Sequence, residues 1–436
     1  MGCGHECDPQ TTVAMAIVLV DCNSFYCSCE SVFQPRLWTT PLVVLSNNDG
    51  SVVSLNESAK ALGIRKCQPF FGCRDLMSSA NLAVRSSNFA LYGDMSARVM
   101  ETLRQFSPSV EVYSIDEAFL CLRHVEPQAR TDYARRIRAI VRQHTGIPIS
   151  IGVAETKTLA KVANRYAKQT DALEGVLDIT GSLERQLELL AALPVVDVWG
   201  IGSRWGQMLR DEGIDTALKL REQPDWWVRM RMGVVGLRTV FELRGSNCLP
   251  LELYPRRRKS MMVSRTFGRA TRSRQELEEA IATFTASSAR KLRREQLIAG
   301  ALCVFVSSSR FKENFYYNSA RSRLMTASNH TPTLLKSALA LAQQLWRDDV
   351  EFARAGVILT QLVDENIVQL SWLDDYDPTD ERAQRLMQTL DRLNQQSGQE
   401  PLRYAVMGTT GRWQTRGRYR SNRWTTRWSE LPIVRC

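Results

Sequence analysis

Asp21 closes the apolar run Ala16-Ile-Val-Leu-Val, and Asp116-Glu117 stand inside Tyr113-Ser-Ile-Asp-Glu-Ala-Phe. One acid at the end of a strand-like run, with an acidic pair about a domain's length downstream, is an all-oxygen donor set of the kind hard divalent cations take. Two such cations about 4 Å apart stabilise both the attacking and the leaving oxygen of a phosphoryl transfer. The chemistry sets a geometric condition. Neighbours in a regular strand point to opposite faces. Asp116 and Glu117 can therefore serve one site only if the pair sits at a bend or a hairpin end.

Two further patterns suit a polyanionic substrate. Lys157, Lys161, Arg165 and Lys168 recur at spacings of four, four and three. That spacing puts them on one helical face, roughly opposite Leu159, Val162 and Tyr166. A basic stripe of this kind is commonly a solvated face. Val198-Trp-Gly-Ile-Gly202, followed by Ser203-Arg-Trp-Gly-Gln-Met-Leu, is a helix-hairpin-helix pattern. Gly200 and Gly202 let backbone N–H groups approach a phosphate, and a helix starting at Ser203 adds positive potential. The motif points to sequence-independent DNA binding and does not choose a reaction.

The elements that must position these groups can be read along the chain. Residues 16–21 and 41–55 read as strands, the latter pair flanking the turn Asn47-Asn-Asp-Gly50. A helix follows from Asn56 and stops at Gly63, and Ile147-Pro-Ile-Ser-Ile-Gly-Val153 alternates as another strand. Residues 182–250 are helical in pattern. Beyond them 301–306 and 356–359 read as strands, 275–297 as helix, and 374–436 as a separate tail. The class is α+β with several domains, as 436 residues require.

Composition narrows the partners. No apolar run approaches the ~18–20 residues of a membrane span, and no secretory signal is evident. Eleven scattered cysteines are read as reduced thiols. The net charge of +11 is uneven: residues 254–330 carry a balance of +11 and residues 412–436 one of +6, which leaves about −6 elsewhere. Two basic blocks on a slightly acidic body favour nucleic acid.

The segments Asp21-Cys-Asn-Ser-Phe-Tyr26, Ser114-Ile-Asp-Glu-Ala118, Lys161-Val-Ala-Asn-Arg-Tyr-Ala-Lys168 and Ser264-Arg-Thr-Phe-Gly268 carry a resemblance. Together they resemble the Y-family (lesion-bypass) DNA polymerases, in their UmuC-type branch, from about residue 15 to the end. The resemblance implies a right-hand polymerase with palm, fingers, helical thumb, α/β little finger and a C-terminal tail. The expected boundaries are an extension at 1–14, palm at 15–46 and 93–181, fingers at 47–92, and thumb at 182–252. The little finger is expected at 253–365, and a clamp-binding peptide with a partner-binding tail at 366–436. Met15 would give a family-like start.

Further roles follow from the resemblance alone. Asp21, Asp116 and Glu117 would be catalytic and, with the Cys22 carbonyl, would bind two Mg²⁺ ions. Tyr26 would be the steric gate, with Phe25 beside it. Val53 and Ser54 would lie over the nascent base pair, and Lys60, Lys161 and Lys168 would meet the triphosphate. Glu57 stands where the wider family often has tyrosine. Gly200, Gly202, Ser203 and Arg265 would contact DNA, and Gln369, Leu370, Trp372 and Leu373 would dock in the sliding clamp. The implied partners are primer–template DNA, dNTPs, the sliding clamp, a UmuD′-like dimer and a RecA filament, in the cytoplasm and away from membranes. The implied function is error-prone, template-directed translesion synthesis in the SOS response. The alternative is a non-catalytic DNA-binding scaffold that keeps the fold. In the tail, arginines interleaved with tryptophans also suit stacking on single strands.

Overall fold

Residues 17–20 form the centre of a strand buried on both faces, β1 (Ile17–Cys22). Its side chains alternate between two cores: Val18, Val20 and Cys22 enter one cluster, Ile17 and Leu19 the other. A continuous apolar run is what a doubly covered strand needs. The computed structural model that shows this describes residues 16–254, 256–366, 381–397, 401–409, 411 and 413–432. The expected extension at 1–14 lies outside the described residues. The chain divides into two units. Met1–Leu45, Ser51–Pro255 and Tyr419–Cys436 make the first; Ser46–Gly50 and Arg256–Arg418 make the second.

In the first unit β1 is followed by α1 (Phe25–Phe33), β2 (Leu42–Leu45), β3 (Val52–Leu55), α2 (Glu57–Ala61), α3 (Leu76–Ser79), β4 (Ala83–Ser86) and α4 (Phe89–Arg104). Then come β5 (Val110–Val112), β6 (Glu117–Cys121), α5 (Arg130–Thr145), β7 (Ile149–Ala154), α6 (Lys157–Gln169) and β8 (Val176–Asp178). A five-stranded sheet has the order β5-β6-β1-β7-β8, with β1 antiparallel to both neighbours. A separate three-stranded sheet has the order β3-β2-β4. Between β2 and β3, Asn48 and Asp49 take positive φ, a conformation Asn and Asp tolerate in tight turns. Asn56 caps α2 by accepting from the Ala59 N–H, and Gly63, at φ +80°, follows it.

Helix α6 places the basic stripe. Thr156 caps it by accepting from the Leu159 N–H. Leu159, Ala160, Val162 and Ala163 bury its apolar face in the core that Ile17 and Leu19 enter. The backbone of α6 lies so close to β7 that a Cβ on Gly152 would stand 2.3 Å from both the Ala160 carbonyl oxygen and the Asn164 nitrogen. Both are backbone atoms and cannot swing away. Gly152→Ala is therefore expected to cost about 3 kcal/mol, the upper range of core overpacking, measured as a shift in the urea unfolding midpoint.

Four helices follow in the first unit: α7 (Leu183–Ala192), α8 (Ser203–Asp211), α9 (Ala217–Arg221) and α10 (Asp225–Leu243). The helical reading of 182–250 holds. α10 is kinked at Gly233, where φ is +67°.

The second unit contains β9 (Ser260–Thr271), α11 (Arg274–Arg294), β10 (Leu297–Ser307), β11 (Tyr317–Ser328), α12 (Thr331–Leu345), β12 (Phe352–Asp364) and α13 (Glu381–Ser397). Its antiparallel sheet has the order β11-β10-β12-β9, and α11 and α12 share a core with it.

The arginine- and tryptophan-rich segment differs from a separate tail. Trp413 is 6% exposed and packs edge-on against Phe284 in the second unit's core. Trp424 is also 6% exposed and lies in the first unit's core. Neither ring is presented for stacking on a nucleic acid base. Trp428 is exposed. Burying two indoles contributes more than leaving them in water, which is why an arginine-rich segment holds to the body.

Candidate active site

Register decides which acids meet. Asp21 on β1 pairs directly with Glu117 on β6, and both follow the alternation that sends Leu19 and Phe119 to the α6 side of the sheet. Asp116 immediately precedes β6, in the turn that follows β5. Its carbonyl accepts from the Cys22 N–H at 2.8 Å, and its Oδ1 accepts from the Ser114 hydroxyl at 2.6 Å. The N–H groups of Tyr113 and Ser114 both donate to the Glu117 carbonyl at 3.1 Å, closing the turn. The acidic pair thus sits at a hairpin end, the condition set by strand alternation. Burial pushes Asp21 up to about 6; Lys168 opposes the shift, and Glu117 and Asp116 add to it.

Two lysines of α6 neutralise this cluster. Lys168 Nζ lies 2.5 Å from Asp21 Oδ1, and Lys161 Nζ lies 2.6 Å from Glu117 Oε1. Lys161 also sits among three rings, 4.8 Å from the centroid of Tyr113, 5.5 Å from Trp199 and 5.7 Å from Phe119. Trp199 Nε1 donates to the Tyr113 hydroxyl at 3.1 Å, which ties two walls of the box together. The basic stripe is not a uniform solvated face. Lys157 is buried, paired with Glu111 at 2.5 Å and donating to the Pro250 carbonyl at 3.0 Å. Arg165 pairs with Asp197 at 2.8 Å.

Among the described residues no group of three or more His, Cys, Asp or Glu is drawn together to hold a metal ion. The donor set nonetheless fits a hard cation. It is all oxygen and partly desolvated, and burial is the main cause that raises Asp21. The Cys22 side chain faces the opposite core, and burial followed by the charges of Asp21 and Asp116 keeps its thiol protonated.

A cleft of about 1080 Å³ opens beside the carboxylates. Asp21 and Glu117 line it, as do Lys60, Lys161 and Lys168. The expected phosphate-facing cations thus share one space with two of the three acids. Lys60 is paired with Glu57 at 2.6 Å, and both are exposed, so little is lost when the ammonium turns to another anion. Phe25, Tyr26, Val53 and Ser54 do not line this cleft. Phe25 is buried in the core, 5.8 Å from the Tyr26 ring. Tyr26 is half-buried and stacks on Tyr92, with centroids 4.5 Å apart. Val53 and Ser54 lie half-buried on β3.

The chain is similar to known proteins. The impB/mucB/samB family matches residues 20–165, its C-terminal domain matches 258–372, and a domain of unknown function, DUF4113, matches 384–434. Protein UmuC of Salmonella typhimurium is 41% identical over 424 residues, covering 96% of this chain and 99% of that protein. The chain belongs to the impB/mucB/samB family. Protein MucB of Escherichia coli is 36% identical over 419 residues, covering 95% of this chain and 99% of that protein. For the fold, the solved structure of a Y-family DNA polymerase chimera of Dbh and Dpo4 matches with a TM-score of 0.64 at 22% identity. It covers 80% of this chain and 99% of that chain. The mixed α/β architecture is that of a Y-family polymerase with palm, fingers, thumb and little finger.

Other expected sites of this impB/mucB/samB chain belong to other segments. Gly200, Gly202 and Ser203 are exposed, Gly200 takes φ +91°, and Gly202 is the N-cap of α8. A Cβ on Gly206 would meet a Val196 methyl at 2.7 Å, so this glycine lets α8 close on the preceding turn. Arg265 is exposed on β9 in the second unit. Burial, then the guanidinium groups of Arg265, Arg258, Arg290 and Arg294, hold Lys291 below the usual lysine range. Lys291 and these four arginines of the 254–330 block therefore lie near enough to act on one another. Gln369, Leu370, Trp372 and Leu373 lie outside the described residues.

The aromatic box around Lys161 was not evident from sequence. Its one local signal was Tyr113, three residues before Asp116. Trp199 comes from the helix-hairpin-helix segment and Phe119 from β6, which periodicity cannot bring together.

Proposed function

We propose that this chain is an error-prone, template-directed DNA polymerase that carries out translesion synthesis in the SOS response. It adds dNTPs to a primer 3′ end by phosphoryl transfer. The observation that carries the reading is the Asp21–Glu117 register pair, with Asp116 at the adjoining hairpin end, beside a cleft walled by Lys60, Lys161 and Lys168. Its family relatives support it.

In this reading the palm comprises 15–46 and 93–181, the fingers 47–92, the thumb 182–252 and the little finger 253–365. Residues 366–436 follow as clamp-binding peptide and partner-binding tail. Asp21, Asp116 and Glu117, with the Cys22 carbonyl, would hold two Mg²⁺ ions. Bound there, the metal would polarise phosphoryl oxygens and lower the pKa of the attacking hydroxyl. The protein's own groups do the rest. Lys161 and Lys168 hold the carboxylates' charge in check and, with Lys60, bind the triphosphate. Tyr26, with Phe25 behind it, excludes a 2′-hydroxyl, and the small side chains of Val53 and Ser54 leave room above the base pair.

Gly200, Gly202, Ser203 and Arg265 bind the primer–template backbone. Gln369, Leu370, Trp372 and Leu373 engage the sliding clamp, and a UmuD′-like dimer and a RecA filament complete the working assembly. No helix among the described residues is long and apolar enough to cross a membrane, and the place of action is the cytoplasm.

The test is primer extension by the purified protein with Mg²⁺ and dNTPs, with clamp, UmuD′-like dimer and RecA filament supplied. Extension past a template lesion is expected. Tight primer–template binding without any extension would replace this reading with the non-catalytic scaffold. Binding should also weaken steeply with salt. Arg265→Ala is expected to reduce the slope of log K against log salt by about 1, uniformly across template sequences, as read by fluorescence anisotropy titrations at several salt concentrations.

A further inference from the structure

Helix α1 carries Tyr26 and, four positions on and therefore on the same face, Glu30. Glu30 is a carboxylate with no solvent exposure. Its Oε1 accepts from the Tyr92 hydroxyl of α4 and from the Ser421 hydroxyl of the C-terminal segment, both at 2.8 Å. Among the described residues its Oε2 accepts no hydrogen bond, and Arg85 Nε lies 3.8 Å from it. Tyr92 is itself fully buried, and its ring lies flat on Tyr26, 14° from parallel. Phe89 meets both rings edge-on. The carboxylate that orients Tyr92 thus depends on a donor 391 residues away in the sequence.

Ser421 is held in place from both sides. The Tyr419 N–H donates to Ser86 Oγ, and the Ser86 N–H donates back to the Tyr419 carbonyl. Asn88 Nδ2 donates to Ser421 Oγ and to the carbonyls of Ser421 and Asn422, while Asn88 Oδ1 caps α4. Three residues on, Trp424 stacks on Phe33 at the far end of α1, with centroids 5.1 Å apart. A buried carboxylate that loses one of its donors is left underpaired at a cost, which a shift of the carboxylate toward its remaining hydrogen-bond partner reduces. Here that partner is the ring on which Tyr26 rests.

We propose that the C-terminal segment 419–424 positions Tyr26 through the relay Ser421–Glu30–Tyr92, and that the relay sets discrimination between deoxyribose and ribose in the nucleotide pocket. The proposal rests on the reading of Tyr26 as the steric gate. It gives a role to part of the domain of unknown function matched at 384–434. Ser421, Glu30 and Tyr92 act through Tyr26 as positioning residues.

The test compares single-nucleotide insertion of a dNTP and its rNTP by the full-length chain in its complete assembly. Tyr92→Phe and Ser421→Ala each remove one hydroxyl and add no bulk. Each should lower the dNTP-over-rNTP ratio of kcat/KM about threefold to tenfold, with dNTP insertion changing less than about twofold. Ser421→Thr, which keeps the hydroxyl, should retain the wild-type ratio. Tyr26→Ala separates the two ideas. If it collapses the ratio while Tyr92→Phe and Ser421→Ala leave it unchanged, the relay is wrong and the gate stands. If Tyr26→Ala also leaves the ratio unchanged, the gate reading fails and the relay with it. Equal losses of dNTP and rNTP insertion in Tyr92→Phe and Ser421→Ala would likewise overturn the relay, since a merely structural role predicts them.

Discussion

Asp116→Ala is expected to lower nucleotide insertion by about 10³-fold or more, the scale on which a preorganised charge at a phosphoryl-transfer centre acts. DNA binding should survive, because Asp116 is neither part of the helix-hairpin-helix turn nor one of the basic residues around Lys291. Folding should survive as well. Asp116 is one of the charges that raise Asp21, so removing it relieves repulsion. The sign follows from linkage. Asp21 has a folded pKa of about 6 against an ordinary 3.8, so the folded state binds more protons between those values and stability falls as pH rises through that window. Asp116→Ala should lessen that slope only slightly, because burial is the larger cause of the shift. Extension assays, anisotropy and thermal melts from pH 4 to 7 on one preparation would check all three expectations. Wild-type-like extension by Asp116→Ala would remove the carboxylate site from the reaction.

Tyr26→Ala is expected to raise ribonucleotide insertion relative to deoxyribonucleotide by about 10²-fold, the order of discrimination a shaped pocket achieves against one added hydroxyl. The ring is well placed to be rigid. It stacks on Tyr92, meets Phe89 edge-on and is backed by the buried Phe25. Truncation removes a wall and leaves the three carboxylates intact, so dNTP insertion should fall far less than in Asp116→Ala. Tyr26→Phe keeps the ring and should retain the preference. The readout is the ratio of kcat/KM for the two sugars in each variant. An unchanged ratio in Tyr26→Ala would show that the sugar is read elsewhere.

Much of the site was legible because its determinants are local. An apolar run ending in an acid makes β1 and Asp21, and Asn47-Asn-Asp-Gly50 makes the turn between β2 and β3. The Asn56 side chain starts α2 where its position in the sequence indicates. The need for Asp116-Glu117 to sit at a bend also followed from strand geometry alone, and the β5–β6 turn supplies that bend.

The rest depended on contacts between distant segments. Helical periodicity placed Lys157, Lys161, Arg165 and Lys168 on one face but could not say what covers it. The fold buries Lys157 on Glu111, boxes Lys161 among rings from three segments, and leaves Lys168 on Asp21. The tail shows the same limit. Arginine-rich composition suggests a solvated or nucleic-acid-binding strand, yet Trp413 and Trp424 are core residues and the Ser421 hydroxyl donates to the buried Glu30 carboxylate. By itself the sequence determined the chemistry on offer and the short elements that carry it, because side-chain type and spacing of two or 3.6 act over a few residues. Only the tertiary structure decided which charges are buried, which are paired and which face the cleft, because desolvation and pairing arise where segments far apart in the chain close on one another.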